Sequence, residues 1–160
     1  MYKCKFVLIL FLISFPFFSY SQEGSTGIIK ERMDKFQESK NLMRTINKSL
    51  SDNNFDVITQ SAEKLNKWAN EMHEYFPKGS EASSSNKSQA SDNIWSDPEG
   101  FKKAVKKFEI TSAKLIKISQ NKNIDDTVSS FREVAASCKG CHQQFRLSLI
   151  HISEPTRPPE

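Results

Sequence analysis

Residues 124–146 of this 160-residue chain read IDDTVSSFREVAASCKGCHQQFR, and this stretch decides the fold. Its larger apolar side chains recur every seven positions, and a second row with the same period lies between them. The first row consists of Ile124, Phe131, Cys138 and Phe145, and the second consists of Val128, Ala135 and His142. Rows of this spacing fall on one face of an α-helix. The pattern therefore predicts a long amphipathic helix with His142 turned towards the interior.

Three segments upstream show the same seven-residue period. Their rows are Ile29, Phe36, Met43 and Leu50; Ile58, Leu65 and Met72; and Phe101, Phe108 and Leu115. Turn-forming residues at 51–54 and 120–123 separate neighbouring segments, whereas a longer Ser-rich stretch at 81–93 separates the middle pair. Nothing alternates with the period of two that is typical of strands. We therefore predict an all-α protein, an antiparallel up-down-up-down four-helix bundle with a long loop between helices 2 and 3.

The first residues differ in composition from this core. Lys3 and Lys5 precede an uncharged apolar run over residues 6–18, which small residues follow. This pattern is typical of a secretory signal peptide, and the run is shorter than the roughly 20 residues that a membrane-spanning helix needs. We expect residues 1–21 to be a signal peptide cleaved before Gln22, and the mature protein to be periplasmic without a membrane anchor.

The last residues also change character. After Arg146 the chain reads LSLIHISEPTRPPE, which resembles translated sequencing-adaptor sequence. A frayed extension of the last helix is the alternative, because the leucines and isoleucines are compatible with a helix. We expect residues 147–160 to be a non-native tail and residues 22–146 to form the single four-helix-bundle domain.

Charge and composition exclude several classes of function. The chain has 23 basic and 19 acidic residues, which gives a formal net charge of +4, and its lysines are interspersed with acidic residues. This balance is too mild for a nucleic-acid-binding protein and is typical of solvated helical faces. No nucleophile–base set and no phosphate-binding loop is visible, so we do not expect an enzyme.

The strongest chemical signal is Cys138-Lys-Gly-Cys141-His142, a C-x-x-C-H attachment motif for c-type haem. Two thiols three positions apart can form thioether bonds to the two vinyl groups of one porphyrin, and the adjoining imidazole can ligate the iron. Haem of this type is attached outside the cytoplasm, which agrees with an exported chain. The competing interpretations are a thiol redox site, which needs a strand–helix context, and a zinc site, for which only His73 remains as a further ligand.

On these residues the chain resembles the cytochromes c′, which are periplasmic four-helix-bundle haem proteins. The resemblance rests on residues 138–146 at the end of the last helix, on Phe76-Pro-Lys-Gly-Ser80 at the start of the central loop, and on Ile94-Trp-Ser-Asp-Pro98 before the third helix. It implies one covalently attached haem c, bound through Cys138 and Cys141, with His142 as the axial ligand of the iron.

The resemblance also implies roles for other residues. Phe36 matches the apolar side chain that blocks the sixth iron position, so the haem would be five-coordinate, high-spin and open to NO and CO. Arg32 matches the residue that pairs with the haem propionates, and Arg146 matches a basic residue on the proximal face. Three further matches line the haem, namely Met33, Ser88 and Trp95. The resemblance further suggests electron exchange with redox partner proteins and a homodimer through helices 1 and 2.

Two other functions stay open at this point. Low-spin relatives with the same bundle use a first-helix methionine as the sixth ligand, and Met33 or Met43 would fit that role in a six-coordinate electron-transfer cytochrome. The second is a helical periplasmic interaction protein in which the haem is structural, with the long loop and exposed lysines as its binding surface.

Individual residues also have simpler interpretations. Phe36 fits a core position in any bundle, Arg32 fits a surface ion pair, and Arg146 is a favourable cation at a helix C-terminus. Trp68 is predicted to serve packing or subunit contact, and His73 is predicted to lie on the surface.

Overall fold

The computed structural model describes residues 26–147, and their regular structure is helical. The elements are α1 (Gly27–Ser51), α2 (Phe55–Glu71), a 3₁₀ helix (Met72–Tyr75), the short α3 (Asn93–Ser96), α4 (Pro98–Gln120) and α5 (Ile124–Phe145). Apart from an isolated bridge between Ala90 and Arg146, the described part of the chain has no β-structure. The prediction of an all-α four-helix bundle with a long loop between the second and third long helices is confirmed.

The two predicted end segments are not part of this description. The predicted signal peptide at 1–21 lies outside the described residues, as does the predicted tail apart from Leu147. Among the helices of residues 26–147, none combines the length and apolarity that a bilayer crossing needs. The domain limits drawn from the sequence therefore stay predictions.

Side-chain caps determine where three of the long helices begin. Asn54, Asp97 and Asn123 each accept a hydrogen bond from a backbone N–H three residues further on, at 3.2, 3.0 and 3.1 Å. Each cap satisfies an N–H group that the start of a helix leaves without an intrahelical partner. The two short turns also contain residues with positive φ, Asn53 at 51° and Lys122 at 56°. These turns reverse the chain within a few residues, so consecutive helices run antiparallel.

The four long helices pack unevenly. α4 lies against both α2 and α5 along much of its length, α1 packs on α2, and α1 and α5 meet at few positions. The fully buried core side chains follow this arrangement and include Ile46, Ile58, Leu65, Leu115 and Val134. The sparse contact between α1 and α5 leaves the bundle open on one side, and the candidate site lies there.

The buried face of α5 differs from the predicted one. The sequence period places the row of Val128, Ala135 and His142 inside; Ala135 is instead exposed, whereas His142 lines a cavity of the bundle. Phe145 of the first row is buried as predicted, and the other buried positions are Thr127, Ser130, Val134 and Ser137. Two hydroxyls of this seam bond locally: the Thr127 hydroxyl donates to the Asn123 carbonyl at 2.6 Å, and the Ser137 hydroxyl donates to the Val134 carbonyl at 2.7 Å and accepts from Thr111 of α4 at 3.2 Å. The pattern missed these positions because Ser and Thr count as polar in a hydrophobic pattern.

Candidate functional site

The opening between α1 and α5 forms a cavity of about 830 Å³. This volume lies within the roughly 300–1,000 Å³ of small-molecule and cofactor sites. The larger apolar side chains that line the cavity are Met33, Phe36, Met43, Trp68, Met72, Phe76, Ile94, Phe101, Val105, Phe108 and Phe145. The cavity is therefore mainly apolar, with two thiols and one imidazole on its α5 wall.

Cys138, Cys141 and His142 supply these reactive groups. Both thiols are free and half-buried, and their spacing of three places them on one side of α5. Burial raises the pKa of Cys138, and burial together with the neighbouring Cys138 raises the pKa of Cys141 to about 11. Both side chains are therefore neutral thiols at pH 7.

His142 faces Phe36 across the cavity. Much of the imidazole is exposed, but the groups around it remove part of its hydration, which lowers its pKa, and the charge of Arg146 lowers this pKa further. The neutral imidazole is the form in which histidine binds metals. The ring centroids of His142 and Phe36 lie 6.2 Å apart with an interplanar angle of 67°. The α5 wall thus presents a metal ligand, and the α1 wall opposite it presents an apolar ring.

Other aromatic rings hold Phe36 in this position. Its ring makes T-shaped contacts with the rings of Trp68 and Phe76, at centroid distances of 5.4 and 6.4 Å. These separations are typical of favourable aromatic pairs. Phe36 therefore belongs to the packed core and faces His142 at the same time, so the two interpretations of this residue are compatible.

Arg32 is buried, with 3% of its surface exposed, and is bonded to the end of the 3₁₀ helix and to the central loop. Its two terminal nitrogens donate to the Tyr75 carbonyl at 2.8 Å, to the Ser80 hydroxyl and carbonyl at 2.9 and 2.7 Å, and to the Ser88 hydroxyl at 2.9 Å. The guanidinium also lies 4.4 Å from the ring centroid of Phe76. Its burial, and the absence of an ion pair for it among the described residues, exclude the surface ion pair considered above. Pairing with haem propionates stays a prediction.

The central loop joins the two walls at this end of the cavity. Ser88 accepts from Arg32 of α1, and the next residue, Gln89, accepts from Nε of Arg146 at 2.9 Å and from Nη2 of the same side chain. The Leu147 N–H donates to the Gln89 carbonyl at 2.9 Å. Arg146 caps the C-terminus of α5, so it also occupies the favourable position for a cation there. Two consecutive loop residues are thus bonded to arginines from opposite walls of the cavity, Ser88 to Arg32 of α1 and Gln89 to Arg146 at the end of α5.

Of the three predicted haem-lining residues, two lie on the cavity. Met33 is 38% exposed and Ser88 is 5% exposed, and both line it. Trp95 does not line it; the adjacent Ile94 does. The Trp95 indole N–H instead donates to the Phe76 carbonyl at 3.2 Å and fastens the start of the loop. Neighbouring side chains of a short helix point in different directions, so a motif match over 94–98 does not determine which of them reaches the site.

Trp68 is a cavity residue that sequence reasoning assigned only to packing or subunit contact. It is 5% exposed and packs on Phe36, which confirms packing, and it also lines the cavity. Its indole N–H is buried and has no hydrogen-bond partner among the described residues. The sequence feature that could have placed Trp68 inside is its position three residues after Leu65, on the same face of α2.

His73 is exposed as predicted, and within residues 26–147 no cluster of three or more metal-ligating side chains supports the zinc interpretation.

Comparison with known proteins places this geometry in a family. The sequence model of the family described as Cytochrome C′ matches residues 27–146. Cytochrome c-554 of Cereibacter sphaeroides is 27% identical over 92 residues, which cover 57% of this chain and 68% of the relative. Cytochrome c′ of Alcaligenes xylosoxydans xylosoxydans is 36% identical over 53 residues, which cover 33% of this chain and 42% of the relative.

Solved structures show the same fold. Cytochrome c′ of Thermochromatium tepidum matches with a TM-score of 0.70 at 22% identity, over 76% of this chain and 95% of its own. A cytochrome c′ with ligand-controlled dimer dissociation matches with a TM-score of 0.71 at 19% identity, over the same shares. Variants of cytochrome c prime from Alcaligenes xylosoxidans, one with bound NO and one with bound carbon monoxide, match with a TM-score of 0.67 at 22% identity, over 76% of this chain and 94% of theirs.

Proposed function

Because the chain belongs to the cytochrome c′ family, we propose that it is a periplasmic c-type cytochrome that carries one covalently attached haem and binds small uncharged gases. The observation that supports this most directly is the apolar ring of Phe36 opposite the imidazole of His142, with 6.2 Å between the ring centroids. An axial ligand on one side and a side chain without a donor atom on the other favour a five-coordinate, high-spin site.

The residues around the cavity fit a c-type haem. An apolar cavity of about 830 Å³ suits a large planar apolar group, and its α5 wall carries the two thiols and the imidazole that a c-type haem requires. Cys138 and Cys141 would hold the porphyrin through thioether bonds, and His142 would ligate the iron. When bound, haem supplies the iron to which NO or CO coordinates and a one-electron redox couple.

The chain's own side chains determine which ligands enter. Phe36 excludes water and cannot act as a ligand, and an incoming gas must displace its ring from Trp68 and Phe76. A diatomic molecule needs only a small displacement, whereas a hydrated or bulky anion would have to lose its water in an apolar pocket. On the opposite side, the guanidinium of Arg146 is close enough to lower the pKa of His142, so it can act on charge that develops there.

The alternative is a six-coordinate, low-spin electron-transfer cytochrome with a methionine ligand. Met33 lines the cavity three residues from Phe36, and a relative named cytochrome c-554 is among the matches. Met33 is partly exposed, however, and the side chain in ring contact with His142 is Phe36. We therefore favour the five-coordinate site.

The proposal can be tested on the protein produced in cells that carry the c-type cytochrome maturation machinery. Pyridine-haemochrome analysis should give one haem per chain that resists acid–acetone extraction, and Cys138→Ser/Cys141→Ser should yield a protein without covalent haem. Met33→Leu and Met43→Leu should each leave the ferrous spectrum unchanged. A conversion from low-spin to high-spin in either variant would establish the alternative instead.

The homodimer through α1 and α2 is a separate part of the proposal. Its support is the match to a cytochrome c′ with ligand-controlled dimer dissociation. Sedimentation equilibrium should give twice the chain mass, and a monomer at all concentrations would remove this part alone.

A further inference from the structure

The charged side chains that line the cavity are all of one sign. Among the described residues they are Arg32, Lys40, Arg44, Lys87 and Arg146, and no Asp or Glu of residues 26–147 lines it. The chain as a whole is nearly balanced, with 23 basic and 19 acidic residues. The single sign is therefore a property of this surface and not of the overall composition.

Four of these five side chains are exposed, which places them at the rim of the cavity. They come from three separate parts of the fold: Lys40 and Arg44 from α1, Lys87 from the central loop, and Arg146 from the end of α5. The fifth, Arg32, is buried and bonded to the loop. Cations drawn from separate elements around one opening form an extended positive rim.

The α1 pair is notable because the helix gives it no counter-charge. Lys40 and Arg44 are one helical turn apart, a spacing at which like charges repel, and neither has an ion pair or side-chain hydrogen bond within residues 26–147. Two other lysines of the same helix are paired: Lys30 with Asp34, and Lys35 with Glu71. A negatively charged partner from outside the chain would relieve the repulsion between Lys40 and Arg44.

We propose that this positive rim docks the acidic face of a redox partner protein, so that one electron passes between the partner and the haem iron through the mouth of the cavity. No atom is transferred: the partner loses one electron, and the iron goes from the ferric to the ferrous state. Complementary charge raises the association rate and orients the encounter. The inference rests on the proposed function, because it requires a redox group in this cavity.

The test uses two matched double variants of the haem-loaded protein. Lys40→Glu/Arg44→Glu reverses two charges at the rim. Lys103→Glu/Lys107→Glu makes the same change in charge at the same helical spacing on α4, at exposed positions that do not line the cavity. Circular dichroism and the CO-difference spectrum of both variants should match the wild type, which separates this test from that of gas binding.

Oxidation of the ferrous protein is then followed by stopped flow with anionic ferricyanide and with cationic tris(phenanthroline)cobalt(III). At low salt the rim variant should react about 10-fold more slowly with ferricyanide and faster with the cobalt complex, and both effects should fade with added salt. The α4 variant should stay within about twofold of the wild type. Equal changes in the two variants, or no change in either, would overturn the proposal.

A protein-like probe distinguishes docking from capture of a small anion. Poly-L-glutamate should bind the wild type and the α4 variant at low salt, slow their oxidation by ferricyanide, and fail to do either with the rim variant. Steering of ferricyanide without any effect of poly-L-glutamate would mean a small-anion site and would contradict docking of a protein.

Discussion

Replacing Arg32 by methionine should detach the central loop from α1. The substitution removes four hydrogen bonds: a partly buried one to Tyr75 and three buried ones to Ser80 and Ser88. At about 1.5–3 kcal/mol for each bond from a charged donor, the gross loss is roughly 6–12 kcal/mol. Much of this is offset, because the change also removes a buried cation that has no carboxylate partner. In addition, the Ser80 carbonyl keeps a bond from the Ser88 hydroxyl at 3.1 Å. We expect a net loss of about 2–4 kcal/mol in the free energy of unfolding.

Urea unfolding measures this loss, and hydrogen exchange locates it. Amides of residues 80–91 should exchange faster in Arg32→Met, while those in the middle of α4 should keep their relative protection. Arg132→Met is the matched control, since Arg132 is exposed on α5 and has no ion pair among the described residues, so its effect should stay within about 0.5 kcal/mol. If Arg32→Met were as stable as Arg132→Met, the loop would not depend on the buried guanidinium.

Three further predictions concern Phe36, Cys141 and Asp97. Phe36→Ala should speed CO association roughly 10–100-fold in flash photolysis, because two aromatic contacts at about 0.5–1.5 kcal/mol each no longer oppose displacement; an unchanged rate would mean that Phe36 does not gate the site. In the haem-free protein, burial raises the pKa of Cys141 to about 11, so its alkylation at pH 8 should be roughly 10²-fold slower than that of a free cysteine. The alkylation rate should keep rising up to about pH 11. A rate that levels off below pH 9 would contradict the burial of this thiol. Asp97→Ala should cost about 1 kcal/mol in urea unfolding, because the Gly100 N–H loses its cap; Asp125→Ala, which removes a first-turn acid that is not a cap, should cost less.

Local patterns were sufficient to predict the helices. Seven-residue rows and Asn- or Asp-containing turns act over short stretches of chain, so α1, α2, α4 and α5 were predicted in order. The spacing of Cys138, Cys141 and His142 is likewise local and led directly to the attachment motif. The buried seam of α5 was mispredicted, because the pattern does not show that Ser137 can satisfy its hydroxyl within the helix and serve as a core residue.

The rest of the site depends on contacts between residues distant in the sequence. Arg32 is buried only because loop residues more than forty positions away accept its hydrogen bonds. The same holds for the bond between Gln89 and Arg146 and for the gathering of Lys40 and Lys87 at one opening. Periodicity places a residue on a helix face, but it does not show which distant segment will cover that face.

The absorption spectrum of the ferrous, haem-loaded protein before and after addition of CO tests the central claim most directly. With Phe36 opposite His142, the ferrous spectrum should be high-spin, and CO should convert it fully to a six-coordinate form. A low-spin ferrous spectrum with sharp, split bands and no reaction with CO would show that a protein side chain occupies the sixth position, and would contradict the account.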